Sequence, residues 1–159
     1  MNLRIGVLTI SDRVAAGQMQ DEGGPAVEAA LQHPEWVIVH RAVVPDEVDQ
    51  VAGALTRWAD EERLDVVLTT GGTGLAPRDV TPEATSRVCD RLVPGIAEAI
   101  RMASLQQTPQ AMISRALAGA RGTTLIVNLP GSPRGAAQGA EVVRPILEHA
   151  VSILNGGKH

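Results

Sequence analysis

Short apolar runs that alternate with amphipathic segments predict an α/β domain, with an open, mostly parallel sheet covered by helices on both faces. Two further observations agree. Hydrophobic residues make up 44 % of the 159-residue chain, yet it has no Phe or Tyr and only two tryptophans, Trp36 and Trp58. A core drawn from Val, Leu, Ile and Ala suits a buried parallel sheet under Ala-rich helices. Each apolar run also ends in a polar, Gly- or Pro-containing loop. At this length one domain with a sizeable core is expected, residues 1–154, followed by a flexible tail, 155–159.

Taken in order, Leu3 to Ile10 is apolar except for Arg4, Gly6 and Thr9, and predicts a buried strand. After Ser11-Asp12-Arg13 and a polar loop, Pro25 suits the first position of a helix through Gln32. Trp36 to Val44 predicts a second strand, closed by Pro45-Asp46-Glu47. Val48, Val51, Leu55 and Trp58 fall at helical spacing, so Val48 to Glu62 reads as an amphipathic helix. Asp65 to Thr70 is a third strand, followed by helices near Pro82 to Asp90 and Pro94 to Leu105. Gln110 to Ala118 reads as a short helix closed by Gly119 and Gly122, and Thr123 to Leu129 as a fourth strand. A long helix from Gly135 to Leu154 should be interrupted near Pro145.

The segment Asp65 to Asp79 carries the most chemistry. Its strand ends in Thr70-Gly71-Gly72-Thr73-Gly74, which then delivers Arg78 and Asp79 to a helix start at Thr81-Pro82-Glu83. Glycines let backbone N–H groups close on an anion, Arg78 offers a donor fork for phosphate, and Asp79 suits a magnesium ion. Spelling removes two competitors. A Walker loop needs a lysine that this segment lacks, since Lys158 is the only one in the chain. A dinucleotide fingerprint needs a small residue where Pro77 stands. Taken alone, the loop fits a plain strand-to-helix link equally well. Asp46 is likewise placed to cap the helix that follows it, and Thr81 to cap the next. Arg13 suits a salt bridge as readily as a ligand.

Composition excludes other classes. A net charge of −4 provides no basic footprint for nucleic acid, and two aromatic residues cannot make a base-stacking platform. No apolar run is long enough for a membrane span. The lone Cys89 permits no internal disulfide and points to a reducing, cytoplasmic setting, where it serves as a small core residue, while the Met and Trp side chains read as core or pocket walls.

Four segments together resemble one family. They are Leu8 to Arg13, Thr70 to Gly74, Arg78 to Thr85 (Arg-Asp-Val-Thr-Pro-Glu-Ala-Thr) and Leu129 to Pro133 (Leu-Pro-Gly-Ser-Pro). In this order, over nearly the whole chain, they are similar to the MogA/MoaB family of molybdenum cofactor biosynthesis. The resemblance implies a three-layer α/β/α sandwich, usually trimeric. It also implies transfer of AMP from Mg-ATP to the molybdopterin phosphate, release of pyrophosphate, and hand-over to a separate molybdate insertase. Asp46 and Asp79 match the family's two functional carboxylates, and by the resemblance are catalytic and metal-holding. Ser11, Asp12, Thr70, Gly71, Gly72, Thr73, Gly74 and Arg78 match its nucleotide-phosphate segments. Pro130, Gly131, Ser132, Pro133, Glu98, Arg101, Ser114 and Arg115 match pieces around its pterin pocket. The chemistry fits a chain without an obvious base, because a phosphomonoester with a second pKa near ~6 is already largely ionised. The alternatives are a non-catalytic MoaB-type pterin-binding protein and, ranked below it, the related domain of nicotinamide-nucleotide amidases. The latter has paired aspartates where Arg78-Asp79 stands here. A molybdate insertase would need further domains for which this chain has no room.

Overall fold

The computed structural model describes residues Met1–His159. Its strands are β1 (Leu3–Ile10), β2 (Trp36–Val44), β3 (Val66–Thr70), β4 (Arg91–Leu92), β5 (Ala118–Arg121) and β6 (Thr124–Leu129). Its helices are α1 (Asp12–Ala15), α2 (Gly23–Ala30), α3 (Val48–Asp60), α4 (Thr81–Val88), α5 (Pro94–Leu105), α6 (Pro133–Val143) and α7 (Leu147–Leu154). They build one six-stranded sheet in the order β2-β1-β3-β6-β5-β4. The four central and leading strands, β2, β1, β3 and β6, are mutually parallel, and β5 runs antiparallel to both β6 and β4.

Strand alternation sends side chains to two cores, one on each face of the sheet. Leu3, Ile5 and Val7 of β1, Val66 and Leu68 of β3, and Leu125 and Val127 of β6 meet Val27 of α2, Ile100 of α5, Ala136 and Ala140 of α6 and Leu147 of α7. On the opposite face Leu8, Ile10, Val67 and Ile126 meet Val51, Leu55 and Trp58 of α3 and Ala84 and Val88 of α4. This is the expected three-layer arrangement, and the core is aliphatic apart from Trp58. Each fully buried Leu or Ile contributes about 1.5–3 kcal/mol relative to exposure.

Several elements differ from the sequence reading. The helix over Gln110 to Ala118 is only a 3-10 turn, Pro109–Ile113, after which the chain runs extended into β5. Gly119 lies inside β5 instead of closing a helix, because a side chain there would press on Cys89 Sγ at 2.7 Å and the Arg91 carbonyl at 2.8 Å. Gly122, at φ +56°, begins the two-residue turn of the β5–β6 hairpin. Pro25 is the third helical residue of α2, still within the first turn where its missing N–H costs no bond. The last helix is broken as expected at Pro145, by the 3-10 segment Arg144–Ile146 between α6 and α7. Met102 and Met112 are exposed at 68 % and 70 %, so they are not core. Residues 155–159 leave α7 exposed to solvent. No helix is long and apolar enough to cross a membrane.

Candidate functional site

In parallel sheets, ligands gather beyond the carboxyl ends of strands where the order reverses. Here the chain leaves β1 for β2 on one side and then crosses to β3 on the other, so the reversal lies between β1 and β3. The loops after β1, β2, β3 and β6 converge there.

The glycine loop is shaped by its neighbours. Gly71 has φ +103°, and any Cβ would collide with the Ile10 carbonyl oxygen; Gly72 has φ +68°. Only glycine lets β3 turn this sharply against β1. Thr81 Oγ1 donates to the Gly71 carbonyl at 2.9 Å, so it braces the loop and does not cap α4. Thr70 Oγ1 donates to the Pro130 carbonyl at 2.7 Å, tying this loop to the one after β6.

The two candidate carboxylates are held by different means. Asp46 does not cap α3, whose cap residue Glu47 makes no side-chain capping bond and instead accepts from Gln50 Nε2 at 2.7 Å. Instead the Asp12 N–H donates to Asp46 Oδ2 at 2.8 Å, and the Asp46 N–H donates to Asp12 Oδ1 at 3.0 Å. Burial pushes the Asp46 carboxyl above its usual range, and the charges of Asp12 and Asp79 push the same way, against the Asp12 N–H bond. Asp79 Oδ2 accepts from the Ala76 N–H at 2.9 Å. Asp12 also accepts both arms of Arg78, from Nε at 2.9 Å and a terminal nitrogen at 3.0 Å. Those bonds hold the Asp12 carboxyl below its usual range. Arg78 is therefore engaged by Asp12, where the sequence reading had it facing phosphate.

Two adjoining cavities open on this edge. The first, about 440 Å³, is lined by Ser11, Thr70, Gly71 and Gly72, by the loop after β6, and by Asp46 and Asp79. Asp21 and Glu22 also line it, and no basic side chain does. The second, about 420 Å³, is lined by Thr73, Gly74, Arg101, Ser114 and Arg134, and by the amides Gln107, Gln110 and Gln138. It contains no carboxylate. Gly131 and Ser132 border both. Ser132 caps α6, its hydroxyl accepting from the Gly135 N–H at 3.1 Å.

The structure thus brings together Ser11, Asp46, Thr70, Gly71, Gly72, Asp79, Gly131, Ser132 and Pro133 in one cavity. It brings Thr73, Gly74, Arg101, Ser114, Pro130, Gly131 and Ser132 together in the other. Asp12 and Arg78 tie the rim without lining either. Glu98 sits on the exposed side of α5 and borders neither cavity. Arg115 borders neither as well. It donates to the Gly74 carbonyl at 2.8 Å, the Asp79 carbonyl at 2.7 Å and the Glu83 carboxylate at 2.7 and 3.0 Å. It is a strut for the loop, not a cavity wall. Sequence reasoning missed Asp21, which accepts from Thr9 Oγ1 at 2.9 Å and from the Gly24 N–H at 3.0 Å. An Asp followed by Glu and two glycines at a helix start was the available signal. It also missed Arg134, Gln107 and Gln138, which have no motif around them.

Comparison with known proteins decides the family. Residues 6–149 match the family model described as "Probable molybdopterin binding domain". The molybdopterin adenylyltransferase of Helicobacter pylori strain J99 is 41 % identical over 158 residues, covering 97 % of this chain and 89 % of that one. The chain belongs to the MogA/MoaB family. A second relative, the molybdopterin adenylyltransferase of Escherichia coli K12, is 43 % identical over 146 residues, 89 % of this chain and 74 % of its own. The crystal structure described as the molybdopterin biosynthesis enzyme MoaB of Thermus thermophilus superposes with a TM-score of 0.91. It is 49 % identical, with 97 % of each chain covered. The MogA/MoaB fold accounts for the sheet order and for the four converging loops.

Proposed function

We propose that this protein acts in molybdenum cofactor biosynthesis as a molybdopterin adenylyltransferase, joining AMP from Mg-ATP to the molybdopterin phosphate with release of pyrophosphate. One observation carries the reading: a carboxylate-lined and a carboxylate-free, arginine-bearing cavity share a wall at Gly131 and Ser132. A metal-bound triphosphate suits the first and an anionic heterocycle suits the second. Their reactive ends would then meet at the common wall, where alignment of two repelling anions is the main task.

The donor set fits magnesium. Asp46 and Asp79 are hard oxygen ligands facing one cavity, and no basic side chain there neutralises them. Magnesium is bound through one or two carboxylates, with substrate phosphates and water completing the shell. When bound, it would neutralise phosphate charge at the reacting centre. The chain's own contribution is otherwise positional. Gly71 and Gly72 let the backbone approach the nucleotide phosphates, Asp12 fixes Asp46, and Arg115 holds the backbone of Asp79.

A trimeric assembly and hand-over of the adenylylated pterin to a separate molybdate insertase belong to the same proposal. Exposed Met102, Leu105, Met112 and Ile113 provide apolar surface for self-association. The single, half-buried Cys89, its thiol pushed up to about 11 by burial, suits a cytoplasmic protein without redox chemistry. The second reading is a MoaB-type pterin-binding role without catalysis; the Thermus relative shares the MoaB name, although its description calls it an enzyme.

Incubation of the purified protein with ATP, magnesium and molybdopterin separates the two. Pyrophosphate and adenylylated pterin are expected. Asp79→Ala should abolish turnover and leave pterin binding largely intact. Pterin binding with no product from the parent protein establishes the second reading instead.

A further inference from the structure

Four arginines surround the catalytic edge, and their partners divide them into two pairs. Arg78 is ion-paired with Asp12 and Arg115 with Glu83. Arg101 and Arg134 have no carboxylate within ion-pairing distance. Arg101 donates only to backbone carbonyls, Ala116 at 2.8 Å and Ser114 at 3.5 Å, and Arg134 only to Gln107 Oε1 at 3.3 Å. A guanidinium bonded to neutral oxygens keeps its full positive charge for another anion. Both line the cavity that has no carboxylate.

Their placement is specific. Arg101 rises from the middle of α5, anchored by the backbone of the segment leading into β5. Arg134 is in the first turn of α6, two residues after the shared wall residue Ser132. The two cations thus come from different helices and border one cavity. Arg134 is close in sequence to the wall that separates this cavity from Asp46 and Asp79.

We infer that Arg101 and Arg134 form a clamp for the terminal phosphomonoester of the pterin substrate, holding the nucleophile at the Gly131–Ser132 wall. This rests on the adenylyltransferase reading and adds to it which residues bind the attacking group. In the step, an ionised oxygen of the clamped phosphate forms a bond to the α-phosphorus of ATP. The bond from that phosphorus to the bridging oxygen of the β-phosphate breaks, and pyrophosphate leaves with the electron pair. No proton needs to be removed, which agrees with two arginines facing the nucleophile where a base is absent. Gln107 orients Arg134 through its amide oxygen, while the remaining Arg134 nitrogens have no protein partner.

The test is binding of two probes without ATP: molybdopterin and the same pterin with its phosphate removed. The parent should bind the phosphorylated form about 10- to 100-fold more tightly, the scale of one or two charge-assisted bonds. Arg134→Gln should erase most of that preference while leaving affinity for the dephosphorylated probe within about twofold, and Arg134→Lys should keep part of it. Arg134 is exposed and makes one long bond, so this variant should melt with the parent. Arg101→Gln provides a second arm. Equal weakening of both probes, or a rise in the KM for ATP alone, overturns the clamp. Because ATP is absent from the binding experiment, a protein that binds phosphate selectively yet yields no adenylylated product refutes the enzyme reading and leaves the clamp standing.

Discussion

Asp46 and Asp12 exchange backbone bonds, yet the fold moves their acidities in opposite directions, and the difference is testable. Burial raises Asp46, so the native state binds its proton more firmly than the unfolded chain does. Its contribution to stability is present below the unfolded pKa and lost as pH rises through the folded one. Asp12 is lowered by Arg78, so its contribution is present above the unfolded pKa and lost as pH falls through the folded one. Asp46→Asn keeps an oxygen for the Asp12 N–H and removes the unfavourable charge. At neutral pH it should melt at the parent temperature or higher while turnover falls by about 100-fold or more. Asp12→Ala should melt lower at neutral pH, with the gap closing in acid. Thermal melts across pH alongside product assays check both, and parent-like turnover in Asp46→Asn would remove that carboxylate from the mechanism. Asp79 was legible beside the glycine loop, whereas Asp46 by itself reads as a helix cap and is singled out only by the family resemblance. The Asp12–Arg78 pair was not legible, because it joins residues 66 apart and only the parallel order of the strands brings them together.

Strands β1, β2, β3 and β6 announce themselves as apolar runs because they are long enough to show a pattern, and three of them are buried on both faces. β4 and β5 do not: β4 has two exposed residues, and β5 is Ala-Gly-Ala-Arg, with no β-branched side chain to reveal it. Missing β5 also hid the work of Arg115, which stands between the 3-10 turn and β5. From there it reaches the glycine loop and α4 at once, joining three elements through one guanidinium. A lysine is a single point donor and cannot satisfy the Gly74 carbonyl, the Asp79 carbonyl and the Glu83 carboxylate together. Arg115→Lys is therefore expected to lower kcat by about 10- to 100-fold through misplacement of Asp79, with the KM for molybdopterin nearly unchanged. Steady-state kinetics in both substrates measure this. A rise in the pterin KM at constant kcat would return Arg115 to the pterin pocket.

At the scale of the whole molecule the controlling feature is segregation of charge across one sheet edge. A net charge of −4 says nothing of it, since the carboxylates of the first cavity arrive from three separate loops and the free arginines of the second from α5 and α6. Periodicity could place those elements in layers but could not state which side chains share a wall, because that depends on strand order. The segregation has a direct consequence for nucleotide binding. Asp21, Glu22, Asp46 and Asp79 border a cavity without a basic side chain, so a bare triphosphate entering it meets only like charge from side chains. Burial of Asp46 makes that repulsion less screened than it would be in water. ATP should therefore bind only as its divalent complex, with chelation weakening affinity by about 100-fold or more, equivalent to about 2.7 kcal/mol. A double variant, Asp46→Asn with Asp79→Asn, should reverse the order, binding metal-free ATP more tightly than the parent because two of the repelling charges are gone. Calorimetric titration with and without chelator resolves the matter. If the parent binds free ATP as tightly as its magnesium complex, the carboxylate cavity is not where the triphosphate lies.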